Sequence, residues 1–122
     1  MRLITPHVPD KWLILEMTRS YYQRLIAAGV KIYEYEPDFI HAKCYLADDE
    51  VAMIGTINLD YRSLVHHFEN GVWMYLCDSI QDIKVDFDRT FEKSIFVDAQ
   101  MANPDFPRRV LRAMVKVFSP LL

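Results

Sequence analysis

His41-Ala42-Lys43-Cys44-Tyr45-Leu46-Ala47-Asp48-Asp49-Glu50-Val51-Ala52-Met53-Ile54-Gly55-Thr56-Ile57-Asn58 is the stretch on which the fold turns. Residues 42–47 and 51–54 are β-rich runs. Asp48-Asp49-Glu50 lies between them, which is the spacing of a hairpin. On a strand, residues two apart face the same way. His41 and Lys43 are therefore expected on one face, with Ala42, Cys44 and Leu46 turned to the other as core.

Before the hairpin, Arg2-Leu3-Ile4-Thr5 reads as a short strand stopped by Pro6. Asp10 is a natural helix N-cap. Trp12, Leu15, Tyr22, Leu25 and Ile26 recur at helical spacing, which predicts one helix over 11–28 closed by Gly29 at C′. Val30, Ile32, Tyr33 and Tyr35 predict a strand over 30–35, broken by Glu36-Pro37-Asp38. After the hairpin, 71–77 is an apolar strand. Ile83, Phe87, Phe91 and Ile95 at four-residue spacing predict a helix over 79–96, and a last helix is expected over 108–118. The order β-α-β-β-β-β-α-α indicates an α/β layered domain with a mixed sheet.

The hairpin also carries the chemistry. An imidazole beside an ammonium suits a phosphoryl group. Lys43 supplies a compact positive charge, and His41 is able to attack phosphorus or move a proton. Gly55 permits a close backbone approach as the chain returns. Thr56 and Asn58 then present a hydroxyl and an amide as neutral phosphate donors or as groups that orient the imidazole. Asp48 either supports the site or holds the turn, and aspartate is a common turn residue.

His41, Lys43, Asp48, Gly55, Thr56 and Asn58 together fit the pattern HxKx4Dx6G[ST]xN without a gap. That pattern resembles the HKD signature of the phospholipase D superfamily. The text around it is similar to bacterial cardiolipin synthases: Tyr33-Glu34-Tyr35-Glu36-Pro37-Asp38-Phe39-Ile40 before the motif, Asn58-Leu59-Asp60-Tyr61-Arg62-Ser63 after it, Thr18-Arg19-Ser20-Tyr21-Tyr22 in the first helix, and Phe118-Ser119-Pro120-Leu121-Leu122 at the close. The resemblance implies a phospholipase D-like layered domain over 1–122, a mixed sheet flanked by helices.

The same resemblance implies a two-step transfer that needs no metal or organic cofactor. One histidine forms a phosphohistidine, and a second, from a second copy of the motif, handles the proton. The donor and acceptor are phosphatidylglycerol, and glycerol leaves. This sequence holds one motif, so the resemblance makes it the second HKD half of a longer enzyme. It casts His41 as the acid/base more than the nucleophile, and Glu69 as the acid near a catalytic imidazole, where a carboxylate would fix the tautomer. Partners implied are the other HKD half, in the same chain or a second copy, and an anionic membrane at its cytoplasmic face. A phosphodiesterase or nuclease working as a homodimer, and a non-catalytic half that binds lipid or a partner, are the alternatives.

Composition is consistent with this. The 122 residues are 52% hydrophobic and 25% charged with a net charge of −3, an ordinary globular balance. The mild acidity argues against a general nucleic-acid binder. No apolar run approaches the roughly 18 residues of a membrane span. Cys44 and Cys77 have no metal-ligand spacing and read as buried free thiols. His66 and His67, being adjacent, face opposite ways on an extended segment and read as structural or surface groups. His7, in a loop at a strand end, and Arg62, just past the motif, are open to a substrate or a structural role.

Charge is uneven. Residues 106–122 carry Arg108, Arg109, Arg112 and Lys116 with no acid, for +4; residues 1–105 have 10 basic and 17 acidic residues, for −7. Arg108, Arg112 and Lys116 share one helical face, and Val110, Met114, Val117 and Leu121 another. This basic amphipathic tail either lies on anionic lipid or packs on the domain with its basic face in solvent.

Overall fold

A computed structural model of the chain describes residues 1–117. They form two compact units, one of Met1–Ile40 with the segment from Lys93 onward, the other of His41–Glu92.

In the first unit, strand β1 (Arg2–Pro6) lies parallel to β2 (Lys31–Tyr35), from Arg2 opposite Lys31 to Pro6 opposite Tyr35. Parallel neighbours need a crossover. Helices α1 (Trp12–Arg19) and α2 (Tyr22–Ala27) provide it. The single helix expected over 11–28 is thus broken. Thr18 Oγ1 donates to the Ile14 carbonyl at 2.9 Å and Ser20 Oγ to Met17 at 2.6 Å. The Ser20 amide is shared between Glu16 and Met17. Hydroxyls that compete for helix carbonyls in this way tighten and end the turn. Asp10 is not the cap: Lys11 holds that position in extended conformation, without a side-chain hydrogen bond. Gly29 does close α2. It sits at φ +85°, its amide reaches Ile26, and the Val30 amide reaches Leu25, the paired bonds of a Schellman motif.

The other edge of β2 is taken by β6 (Ser94–Val97), antiparallel, with Ile32 opposite Val97 and Tyr35 opposite Ser94. The helical spacing of Ile95 had placed it at the end of the preceding helix. Instead the strand-forming run Ser94-Ile95-Phe96-Val97 alternates across the sheet. Val97 enters the core, and Phe96 meets Tyr33 edge-on at 5.3 Å on the opposite face. Tyr22, Ile32, Val97 and Ala102 form the buried centre, with Leu25, Ile26 and Val30 packed on it. Helix α4 (Phe106–Val117) rests on α1. Phe118 and Leu121, expected on that helix, lie outside the described residues.

In the second unit, β3 (Cys44–Ala47), β4 (Val51–Gly55) and β5 (Gly71–Tyr75) form an antiparallel meander. Cys44 pairs with Ile54, and Gly55 with Gly71. Helix α3 (Ser79–Glu92) lies on β3 and β4. The α/β class is as expected, but the strands are shared between two three-stranded sheets rather than one. Strand β3 pairs with β4 along the hairpin. The thiols differ from expectation too: Cys44 is half-buried and Cys77 exposed.

Candidate active site

The second unit holds the motif. His41, Ala42 and Lys43 precede β3 instead of forming its start, so they do not share a strand face. The Lys43 carbonyl joins the ladder, accepting the Gly55 amide at 3.1 Å. The lysine ammonium turns back and donates to the His41 carbonyl at 2.8 Å. That contact brings the two residues together by a different route and fixes the Lys43 side chain next to the His41 backbone.

Opposite this, Gly55 lets two backbones meet. A Cβ there would stand 2.2 Å from the Asn70 carbonyl oxygen and 2.6 Å from Gly71 Cα. Neither neighbour is a flexible side-chain end. Gly55→Ala is therefore expected to lower stability by about 1–3 kcal/mol, the usual cost of forced overpacking, read as a fall in the urea midpoint at constant slope. The close approach positions the next residue. The Thr56 amide donates to Asn70 O at 2.9 Å, and its hydroxyl accepts the Asn70 amide at 3.0 Å. The same hydroxyl donates to Glu69, whose side chain is 14% exposed. Donation from Thr56 and Ser63, aided by the charges of His67 and Lys43, holds the Glu69 carboxyl below its ordinary range despite some desolvation. Glu69 is thus ionised and held near neutral pH. Burial pushes the Lys43 ammonium down in pKa, and the carboxylates of Glu69 and Asp60 oppose that shift. Lys43, Asp60 and Glu69 therefore share one electrostatic neighbourhood.

Asn58 is half-buried in the loop after β4, between Thr56 and Asp60. Asp60 accepts the Ser63 amide at 2.7 Å and so starts a short π-helical turn, Arg62–His66. Tyr45 fixes the same loop by donating to the Ile57 carbonyl at 2.8 Å. The turn delivers His67 to a place that sequence spacing does not reveal. Its Nδ1 lies 3.8 Å from Glu69, and its Nε2 accepts from Arg62 at 3.2–3.3 Å. Reading 66–67 as extended missed this. The signal available in the sequence is Asp60 three residues ahead of Ser63, because an aspartate oxygen readily accepts a backbone amide a few residues on.

Asp48 is placed apart. It stands at the hairpin tip, with β3 between it and Lys43, about 16 Å of strand. Asp48 and Asp49 have φ of 54° and 58°, and the Glu50 amide closes the turn on Ala47. Aspartate tolerates this left-handed backbone better than most residues. The geometry at Asp48 is that of a turn residue. Asp49 beside it pairs with Lys84 of α3. In the first unit, His7 Nδ1 contacts Glu34 at 2.7 Å, which accounts for that histidine structurally. No group of three or more histidine, cysteine or acidic side chains among the described residues is arranged to hold a metal ion.

A family model described as "Cardiolipin synthase, PLD-like domain" matches residues 1–91. The chain belongs to that family. Similar curated proteins include a cardiolipin synthase of Geobacillus kaustophilus and a cardiolipin synthase 2 of Bacillus anthracis, each 40% identical over the whole of this chain. An uncharacterized protein of Streptococcus mutans is 43% identical over the same span. The chain covers 24% of the length of the two synthases and 27% of the third protein. As a member of the cardiolipin synthase PLD-like family, it carries one HKD-type motif, spread from the segment before β3 to the loop after β4. Among the described residues, no helix is long and apolar enough to cross a membrane.

Proposed function

We propose that this chain forms one half of a phosphatidyltransferase site that makes cardiolipin from two phosphatidylglycerol molecules. The observation that carries the reading is the arrangement around Lys43. Its cation lies against the His41 backbone and in the field of Glu69, which in turn holds the Thr56 hydroxyl, in a chain of the cardiolipin synthase family. A cation, an imidazole and the Asn58 amide meet the needs of a phosphodiester whose charge grows as it is attacked, while the Thr56 hydroxyl, committed to Glu69, holds that carboxylate beside them.

The reaction balances as two displacements. A histidine nitrogen attacks phosphorus of the first phosphatidylglycerol; the bond from phosphorus to the headgroup oxygen breaks, and glycerol leaves with a proton from the partner histidine. The headgroup hydroxyl of a second phosphatidylglycerol gives that proton back and attacks the phosphohistidine. The phosphorus–nitrogen bond breaks, and cardiolipin forms. His41 serves as the acid/base, and the second histidine comes from another copy of the motif, in a longer chain or a second molecule. Lys43 balances phosphate charge, Asn58 orients the phosphate, and Thr56 holds Glu69 in the field of Lys43. Asp48 supports the site indirectly by holding the hairpin. No metal or organic cofactor takes part, and the work is done at the cytoplasmic face of the membrane.

Substrate class is tested by offering phosphatidylglycerol vesicles and single-stranded DNA in parallel to the chain combined with the remaining segment of the Geobacillus relative. Cardiolipin from the vesicles with intact DNA is the expected result. DNA cleavage without lipid turnover would move the assignment to a nuclease.

A further inference from the structure

Helix α4 packs inward through Arg112, Val115 and the half-buried Leu111, with Arg108 and Arg109 left exposed. Arg112 is buried, and its Nε donates to the buried Glu16 at 2.8 Å; Val115 is buried next to it. Lys116 lies over the Tyr21 ring at 4.5 Å. The apolar row faces the other way: Phe106 is 78% exposed, Met114 59% and Val117 74%, with Val110 also exposed. At about 100° per residue these four side chains fall within roughly 80° of one another on the helix wheel. A surface helix normally turns such a stripe to the core, so an outward stripe marks a contact surface.

Charge identifies what it contacts. The stretch 106–117 carries four cations and no acid, in a chain that is otherwise negative. Along one edge of the apolar row, Arg109 and Lys116 join Arg19, Arg112, Ser20 and Gln23 around a cleft of about 180 Å³. Arg109 and Lys116 flank the row on that side, while Arg112 is held by Glu16. That arrangement matches an anionic surface, with apolar side chains at the acyl boundary and the flanking cations at the phosphates above it. We infer that the outward face of α4 docks this unit on an anionic phospholipid bilayer, with a lipid phosphate held in the Arg109–Lys116 cleft. The inference stands on the orientation of α4 and goes beyond the reaction assigned to His41.

The test uses co-sedimentation of the full chain with phosphatidylcholine vesicles, with and without phosphatidylserine. Phosphatidylserine supplies the negative charge without being the proposed substrate. Binding is expected to need phosphatidylserine and to fall as salt rises. Met114→Glu is expected to weaken it about tenfold, since it puts a charge into the apolar contact, and Arg109→Glu several-fold. Both positions are exposed, and circular dichroism checks that each variant is folded. His41→Ala should bind like the parent chain. Equal binding to neutral vesicles, no binding, or unchanged binding by Met114→Glu would overturn the inference. Loss of binding by His41→Ala would place the contact at the reaction site, and would overturn it as well. If Met114→Glu instead dissociates a dimer in sedimentation velocity while vesicles remain unbound, the face joins two protein copies and the inference fails. Failure to turn over phosphatidylglycerol leaves these results untouched and counts against the proposed reaction alone.

Discussion

Glu34→Leu is expected to destabilise the chain by about 3–5 kcal/mol, the range for removing one partner of a buried ion pair. Glu34 is 3% exposed in the middle of β2. Arg19 donates to both of its oxygens, at 2.8 and 2.6 Å; Tyr22 donates at 3.0 Å and His7 contacts it at 2.7 Å. Leucine would leave the Arg19 guanidinium facing an apolar wall beneath α1. The double variant Arg19→Met with Glu34→Leu should recover much of the loss, because replacing both charges with apolar groups removes the uncompensated one. Urea unfolding of the parent, both single variants and the double variant measures this, and a double-variant loss equal to the sum of the two single losses would show that the pair is not coupled.

The same carboxylate sets a pH dependence. Burial pushes the Glu34 pKa up, but hydrogen bonds from Arg19 and His7 and the Arg19 charge outweigh that and hold it below the ordinary value. The unfolded chain therefore takes up this proton at higher pH than the folded one. The contribution is complete above the unfolded carboxyl pKa of about 4.3 and is lost as pH falls through the lower folded value. A Glu34→Gln chain should lack that share of the acid loss. Unfolding midpoints between neutral and acid pH, compared for the two chains, read the difference.

How much of this was legible depends on sequence distance. The motif was readable because Lys43, Gly55, Thr56 and Asn58 sit on one hairpin, and a local turn sets their register. His67 was not, because its place depends on a π-helical turn that Asp60 starts, and period-two reasoning does not describe such a turn. The strand β6 was hidden for another reason. Ile95 satisfies a helical spacing, and only its pairing with Glu34, 61 residues earlier in the chain, makes it a strand. The break between α1 and α2 was written locally in Thr18 and Ser20, whose hydroxyls compete for carbonyls, but the apolar periodicity runs straight through it. For α4 the sequence defined two faces and left open which one packs. Glu16, 96 positions away, decides that by burying Arg112.

His41→Ala is the second large effect expected. Losing a group that carries the proton in both displacements should cut turnover by about 10²–10⁴-fold, the usual share of general acid–base catalysis. His41 is exposed and lies outside the strands, so stability should hardly change. Lys43→Ala should also lower turnover, but through weaker phosphate binding. A fold change that appears in the unfolding midpoint as well as in turnover would mean that His41 supports the structure and not the reaction.

One product analysis decides most directly whether this chain serves phosphatidyl transfer. The chain is combined with the remaining segment of the Geobacillus relative and given phosphatidylglycerol labelled in its headgroup glycerol. Cardiolipin and free labelled glycerol should appear in equal amounts, and both should disappear with His41→Ala. Phosphatidic acid with glycerol and no cardiolipin would mean that water is the acceptor, and would contradict the assignment of this chain to phosphatidyl transfer.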